Sequence, residues 1–187
     1  YDAIGGWFGT NAAEFVAELD ALDVDELDLH INSPGGAVWD GLAIMNSLKA
    51  HRARVTATVD GLAASAASID AMGADEVVMA EGSQMMIHKS SGGSWGNADT
   101  MREMAVTLDK IDLNGAAIYA RKAGGSRESW LDLMAAETWY DADEAVSAGL
   151  ADRAEVVPDA PDAEQSFNLS IFNYAGRSHA PAPGRSK

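Results

Sequence analysis

A serine stands where a strand-like run gives way to small residues. Arg54-Val55-Thr56-Ala57-Thr58-Val59 alternates apolar and polar side chains, and Gly61-Leu62-Ala63-Ala64-Ser65-Ala66-Ala67-Ser68 follows it. The segment Ala63–Met72 has good helix propensity, so Ser65 is expected at a strand-to-helix turn. Unpaired N–H groups and the positive end of the helix dipole lie at such a turn and stabilise charge forming on a substrate oxygen. The small neighbours would let a substrate backbone approach closely. On its own, however, the octapeptide suits a tightly packed helix crossed by another element better than it suits a site. Ser33-Pro34-Gly35-Gly36, which breaks an earlier strand, is a second feature of this kind. Two adjacent glycines expose N–H groups and tolerate positive φ, as a backbone oxyanion site requires. A plain strand-to-helix turn needs the same residues.

A serine nucleophile needs a base, an acid to orient the base, and donors for the oxyanion. The chain has four histidines, His30, His51, His88 and His179. His51 ends a helical pattern beside Arg52 and Arg54, in the place of a surface cation. His179 lies in a polar C-terminal tail, and His30 faces away from the Leu27/Leu29/Ile31 set. His88 ends the apolar run Met85-Met86-Ile87, just before a glycine-rich segment, and is the best placed. A structural histidine held by a hydrogen bond accounts for the position equally well.

These residues must be positioned by a chain of 187 residues, enough for one domain with a real core. With no cysteine, disulfides and thiol catalysis are excluded, and no Cys/His/carboxylate cluster has zinc spacing. No cofactor and no metal are expected. No apolar run reaches the roughly 20 residues that span a bilayer, and no signal peptide opens the chain, so no membrane partner is expected. Tyr1 in place of Met suggests a processed or trimmed start. A formal net charge of -16 argues against nucleic acid, whose phosphates would be repelled.

Thr10 or Asn11 can cap a first helix with Phe15, Val16, Leu19 and Leu22 on its apolar face. A strand over Glu26–Asn32 follows, then a helix over Val38–His51, the strand ending near Val59, and short strands at Glu76–Ala80 and Met85–His88. This alternation favours a largely parallel sheet covered by helices, in which ligands gather at the carboxyl ends of strands. Asn32–Gly36, Gly61–Ser65 and His88 all fall at such ends. Ser90–Asn97 reads as a mobile loop or an extended edge against which a peptide lies. A helix over about Ala98–Lys122 ends at Gly124-Gly125 and is long enough to project towards a partner subunit. Ser126 caps the next helix, and Asp141 with Glu144 has capping-box spacing. A last strand is expected over Ala154–Val157. Residues 1–157 thus form the domain, and 158–187, rich in proline and small residues, read as linker and flexible tail. Within the tail, Phe167–Tyr174 is apolar enough to dock on something.

Four blocks occur in order: Ile31-Asn32-Ser33-Pro34-Gly35-Gly36, Gly61 to Ser68, Met86-Ile87-His88, and Glu144-Ala145-Val146-Ser147-Ala148-Gly149-Leu150-Ala151-Asp152. Together they resemble the Clp protease proteolytic subunit (ClpP) family of serine peptidases, over roughly Tyr1 to Val157. Glu137-Thr138-Trp139 and the region around Ser94–Asn97 are most similar to the phage-encoded branch associated with prohead maturation. The resemblance implies an α/β fold of the ClpP/crotonase type, stacked βαβ units with Ala98–Lys122 as a projecting handle. It implies Ser65 as nucleophile, His88 as general base, and the N–H groups of Gly35 and Ala66 as oxyanion hole. A strand over Ser90–Asn97, with Gly92 and Gly93, would align the peptide substrate. The family's third member, an aspartate, falls at Glu137, one methylene longer. Asp141 is the nearest aspartate, but its capping role competes for its oxygens, and Asp132 would sit inside a helix. Ser68 is the only rival nucleophile nearby, and Asp70 departs from a helix that is usually apolar in the family.

The resemblance further implies a homo-oligomer of heptameric rings stacked in pairs, a polypeptide substrate, and a cytoplasmic location (host cytoplasm if phage-encoded). The leading reading is an ATP-independent serine endopeptidase of phage head maturation, acting on capsid or scaffold proteins. Its rivals are a proteolytic subunit fed by an AAA+ unfoldase and a catalytically silent ring or scaffold subunit. The crotonase group shares the fold, but the Ser65/His88 pair argues against it.

Overall fold

The computed structural model describes residues 1–6, 9–156 and 167–184. The fold is α/β and is organised by one long strand. Strand β1 (Glu26–Ser33), helix α2 (Val38–Ala50), strand β2 (Arg54–Ala64), helix α3 (Ala66–Ala71) and strands β3 (Glu76–Ala80) and β4 (Gln84–Ile87) follow helix α1 (Ala12–Asp20). Then come α4 (Ala98–Ala123), α5 (Arg127–Ala135), β5 (Thr138–Asp141), α6 (Ala142–Ser147) and β6 (Arg153–Glu155). β1 runs parallel to β2 along one edge. The other edge of β2 is shared. Thr56–Val59 pairs with β3, and Leu62–Ala64 pairs with β4, both parallel. β6 extends the sheet beyond β3 in parallel, and β5 closes the β4 side antiparallel.

β2 is longer than the pattern Arg54–Val59 suggests, and α3 is shorter than Ala63–Met72. Ala63 and Ala64 favour helix intrinsically, but their main chain is taken by the ladder opposite Met85 and Met86, which decides the matter. The small side chains have a packing reason here. Ala63, Met85 and Ile87 face the main core with Val55, Val59 and Trp130, while Leu62, Ala64, Met86 and Trp139 face the other way into a smaller cluster. That smaller cluster is covered by Phe167, Leu169, Phe172 and Tyr174 of the C-terminal segment.

Local signals fix several boundaries. Asn11, not Thr10, caps α1, its Oδ1 accepting from the N–H groups of Ala13 and Glu14. α1 stops at Asp20, so Leu22 lies beyond the helix and is exposed, leaving Ala12 and Leu19 as the residues it buries in the core. Asp141 and Glu144 form the expected reciprocal capping box at α6. α4 has 26 residues, about 39 Å at 1.5 Å per residue. Its C-terminal half buries Ile111, Ala116, Ile118 and Tyr119, whereas Met101, Val106 and Leu113 remain exposed. Ser90–Asn97 forms no strand, because no neighbouring edge offers it a ladder, and Trp95 is 99% exposed. The last strand is Arg153–Glu155, with Val156 already exposed; Val157 and 158–166 lie outside the described residues.

Asp70 is the discordant side chain of this core. It sits on α3 with 7% exposure, and its Oδ1 has no hydrogen-bond partner among the described residues. Burial pushes its pKa well above the usual carboxylate value, so the acid is held towards its neutral form. A carboxyl with a raised folded-state pKa costs nothing below its unfolded value near 3.9. Above that pH the unfolded chain gains by ionising, and the folded state loses relative stability. Asp70→Asn should therefore gain in Tm relative to wild type between about pH 4 and about pH 7. Thermal melts of both forms at the two pH values measure this, and a difference independent of pH contradicts it.

Candidate active site

The site begins with a main-chain bond at the end of β2. The register pairs Ala64 with Met86, and the Ser65 N–H continues the ladder by donating to the Met86 carbonyl at 2.9 Å. This places Ser65 two residues from His88 across the same pair of chains. Ser65 is the N-cap of α3 with φ 56° and ψ -122°. Only Ser65 and Glu137 combine a side chain with positive φ among the described residues. Each such conformation costs of order 1–3 kcal/mol and persists where the surroundings enforce it. The conformation turns Ser65 Oγ towards His88 Nε2, 2.7 Å away.

Gly35 packs beneath this turn. Its φ is +88°, and a Cβ built there would lie 2.5 Å from the Ala64 carbonyl oxygen and 2.8 Å from Ser65 Cβ. Both features require glycine. The Gly35 N–H points to Ser33 Oγ at 3.1 Å, a long bond that a developing oxyanion would have to replace. Ala66 opens α3, so its N–H belongs to the group that has no partner within a helix. The two N–H groups expected to form an oxyanion hole therefore flank Ser65 from separate elements.

Burial pushes the His88 pKa below the usual 6.5, while Glu137 and Asp112 act in the opposite direction. Neutral imidazole is the form that accepts a proton from serine. The structure brings Glu137 near His88 but engages its carboxylate elsewhere. Oε1 accepts from the Trp139 indole at 3.1 Å and the Tyr174 N–H at 3.0 Å, and Oε2 accepts from the Asn173 N–H at 2.8 Å. Phe172 sets its ring edge-on to the imidazole, with centroids 5.4 Å apart and planes at 82°. Asp141 is committed to its capping box, and Asp132 lies within α5.

The remaining candidates have other duties. Ser68 Oγ is buried between the Ser65 carbonyl at 2.6 Å and the Tyr119 hydroxyl at 2.7 Å, which removes it as a rival nucleophile. His30 Nδ1 meets Asp60, His51 Nδ1 accepts from the Ala53 N–H, and His179 contacts Ser178. Gly92 and Gly93 stand apart from the cavity at Ser65; Gly92 packs near Met104, and Gly93 faces open space. The neighbouring Ser90 and Ser91 do line that cavity. Among the described residues no group of three or more His, Cys, Asp or Glu is arranged to hold a metal, and no helix is long and apolar enough to cross a membrane.

One neighbour of the site is absent from the residues expected above, and a second was expected to dock without a stated destination. Asp112, buried on α4, accepts from the Ser90 N–H at 2.7 Å and fixes the chain just after His88. Its signal is a carboxylate on the same helical face as Leu108, Gly115 and Tyr119. The other is the C-terminal segment, whose apolar run is visible in sequence but whose destination is not.

Gly35, Ser65 and His88 open on a cavity of about 570 Å³, with Ile69, Met104, Leu108, Ile111 and Met134 among its apolar lining. A larger cavity of about 680 Å³ lies near Gln84 and Arg177, away from Ser65 and His88.

An α/β fold carrying a serine in contact with an imidazole at a strand end is an arrangement that serine-type peptidases use. The Clp protease family profile matches residues 9–157, and the chain belongs to that family. An ATP-dependent Clp protease proteolytic subunit of Pleurastrum terricola is 31% identical over 132 residues, covering 70% of this chain and 67% of the relative. ATP-dependent Clp protease proteolytic subunit 3 of Rhodococcus jostii (strain RHA1) is 30% identical over 141 residues, covering 71% and 69%. A point mutant of ClpP1 from Listeria monocytogenes shares the fold with a TM-score of 0.74 at 21% identity, covering 85% of this chain and 90% of that one.

Two outcomes follow from this geometry. Gly35→Ala should lower kcat/KM by about 10²-fold or more, since the added methyl displaces Ser65 or the Ala64 carbonyl. Steady-state kinetics on a folded variant test this, and wild-type activity would show that Gly35 is not needed at the site. The rising limb of kcat/KM against pH should have its midpoint below 6.5, because burial disfavours the imidazolium. A midpoint above that value contradicts the environment assigned to His88.

Proposed function

We propose that the chain is a serine endopeptidase subunit in which Ser65 is the nucleophile, His88 the general base and Glu137 the acid. The 2.7 Å contact between Ser65 Oγ and His88 Nε2 carries this reading. In the proposed reaction, Ser65 Oγ attacks the scissile carbonyl carbon as its proton passes to His88 Nε2. The carbonyl oxygen takes the negative charge and accepts from the N–H groups of Gly35 and Ala66. Collapse of the tetrahedral intermediate breaks the C–N bond, and the imidazolium donates its proton to the leaving amine. Water then attacks the acyl-enzyme, with His88 again removing and returning a proton. Glu137 stabilises the imidazolium. The apolar cavity walls favour an apolar side chain beside the cleaved bond. Gly92 and Gly93 are proposed to align substrate main chain once a neighbouring edge is present.

The substrate is a polypeptide, and we infer assembly into rings that enclose the sites, heptameric and stacked in pairs, with the exposed Met101, Val106 and Leu113 stripe of α4 at a subunit contact. Two cellular settings are compatible with this chemistry. Glu137-Thr138-Trp139 favours a phage head-maturation protease acting on capsid or scaffold proteins. The names of the two relatives favour a proteolytic subunit fed by an ATP-driven unfoldase. The first acts in the cytoplasm of an infected host, the second in that of the cell itself. Cleavage of purified capsid or scaffold protein without ATP and without an unfoldase supports the first; cleavage only when both are supplied supports the second.

A fluorophosphonate probe tests the chemistry directly. It should label the assembled protein, and Ser65→Ala should abolish labelling. His88→Ala should slow labelling by about 10²–10⁴-fold without unfolding the chain. Absence of labelling in a correctly assembled oligomer at neutral pH would instead favour a silent ring or scaffold subunit.

A further inference from the structure

We propose that the C-terminal segment Asn168–Tyr174 is a latch: docked, it holds the Glu137 carboxylate on its own main-chain amides, and displaced, it lets Glu137 pair with His88 Nδ1. The inference rests on the triad reading above.

The face of β2, β4 and β5 around Ser65 is an interaction surface whose occupant is this chain's own segment. Leu62, Ala64, Met86 and Trp139 point out of that face, and Phe172 and Tyr174 pack against them. Phe172 also stacks edge-on against Trp139 at 6.0 Å, so one ring covers both the indole and the imidazole. Two successive N–H groups, of Asn173 and Tyr174, then close on the two oxygens of Glu137. Arg177 anchors the segment downstream, through its main-chain N–H to Gln84 and its guanidinium to Glu144.

The distribution of hydrogen bonds distinguishes a latch from a support. A segment that merely positioned the acid would leave a carboxylate oxygen on His88 Nδ1. Here the Ser65–His88 bond is formed, yet among the described residues the three donors to Glu137 come from Trp139 and the segment, and none from His88. The amides compete with the imidazolium for the same negative charge. Asn168, Ile171 and Phe172 also line the cavity that Ser65 opens on, so the docked segment takes space from a substrate. Both effects oppose turnover.

The test uses the full-length chain, with fluorophosphonate labelling of Ser65 as readout. Phe172→Ala removes the covering ring. Arg177→Ala loosens the anchor without touching the site and carries the test if the first variant fails to fold. Both should label faster than wild type by about tenfold or more at neutral pH. Their pH midpoint for labelling should rise, because pairing with Glu137 and access of water both favour the imidazolium. A synthetic peptide spanning Phe167–Tyr174 should return the Phe172→Ala rate towards wild type, and Glu137→Gln in that background should remove the gain. Unchanged labelling in both variants overturns the latch and leaves the peptidase assignment standing. Slower labelling also overturns it and makes the segment a positioning support. No labelling of any form overturns the nucleophile assignment, and the latch with it.

Discussion

A single main-chain hydrogen bond, from Ser65 N–H to the Met86 carbonyl, sets the geometry on which the site depends. It prolongs the β2–β4 ladder by one residue past the last strand position and fixes Ser65 in a backbone conformation that serine seldom adopts. Because side chains alternate along β4, anchoring at Met86 sends His88 to the same face two residues on. The Ser65 hydroxyl and the His88 imidazole thus meet through the register of two strands, not through a flexible loop. Gly35 packs so closely on this turn that a Cβ there would collide with the Ala64 carbonyl oxygen and Ser65 Cβ. Strain at Ser65, positive φ at Gly35 and the end of β2 are one arrangement seen from three elements.

The same arrangement explains the forked edge of β2. β3 pairs with its first half and β4 with its last three residues, so the sheet curls instead of continuing flat. One face of the forked part joins the main core through Ala63, Met85 and Ile87. The other would expose Met86 and Trp139 to water, yet both are fully buried under the C-terminal segment. Full burial of side chains of this size is worth about 1.5–3 kcal/mol each, which is ample reason for an apolar octapeptide in an otherwise polar tail to dock there. Site and tail are therefore coupled by packing as well as by hydrogen bonds.

Much of this was legible in the residues, and the failures have identifiable causes. The β/α alternation, the positions of Ser65, His88 and Gly35 at strand ends, and the Asp141–Glu144 box all rest on local signals, and local signals survive folding. Ala63 and Ala64 misled because alanine prefers helix in isolation, and only the pairing with Met85 and Met86 overrides it. Leu22 misled because helical periodicity says nothing of where a helix stops. Asp112 went unnoticed because a lone aspartate on an amphipathic helix gives no sign that it will cap a loop 22 residues upstream. Two partners of Glu137, the Asn173 and Tyr174 amides, were out of reach altogether, being main-chain donors that any sequence could supply.

Glu137 shows why this last limit matters for function. A glutamate must be set back to serve the imidazole that an aspartate would reach, and its positive φ accommodates such a displacement. Here the carboxylate lies within reach of the main chain of the C-terminal segment. The extra methylene is thus more than a tolerated substitution. In the proposed triad, it makes the Glu137 charge available to two competitors, the imidazole on one side and the Asn173–Tyr174 amides on the other. The strength of the base in that proposed triad then depends on which competitor holds that charge, and so on a segment far away in the chain.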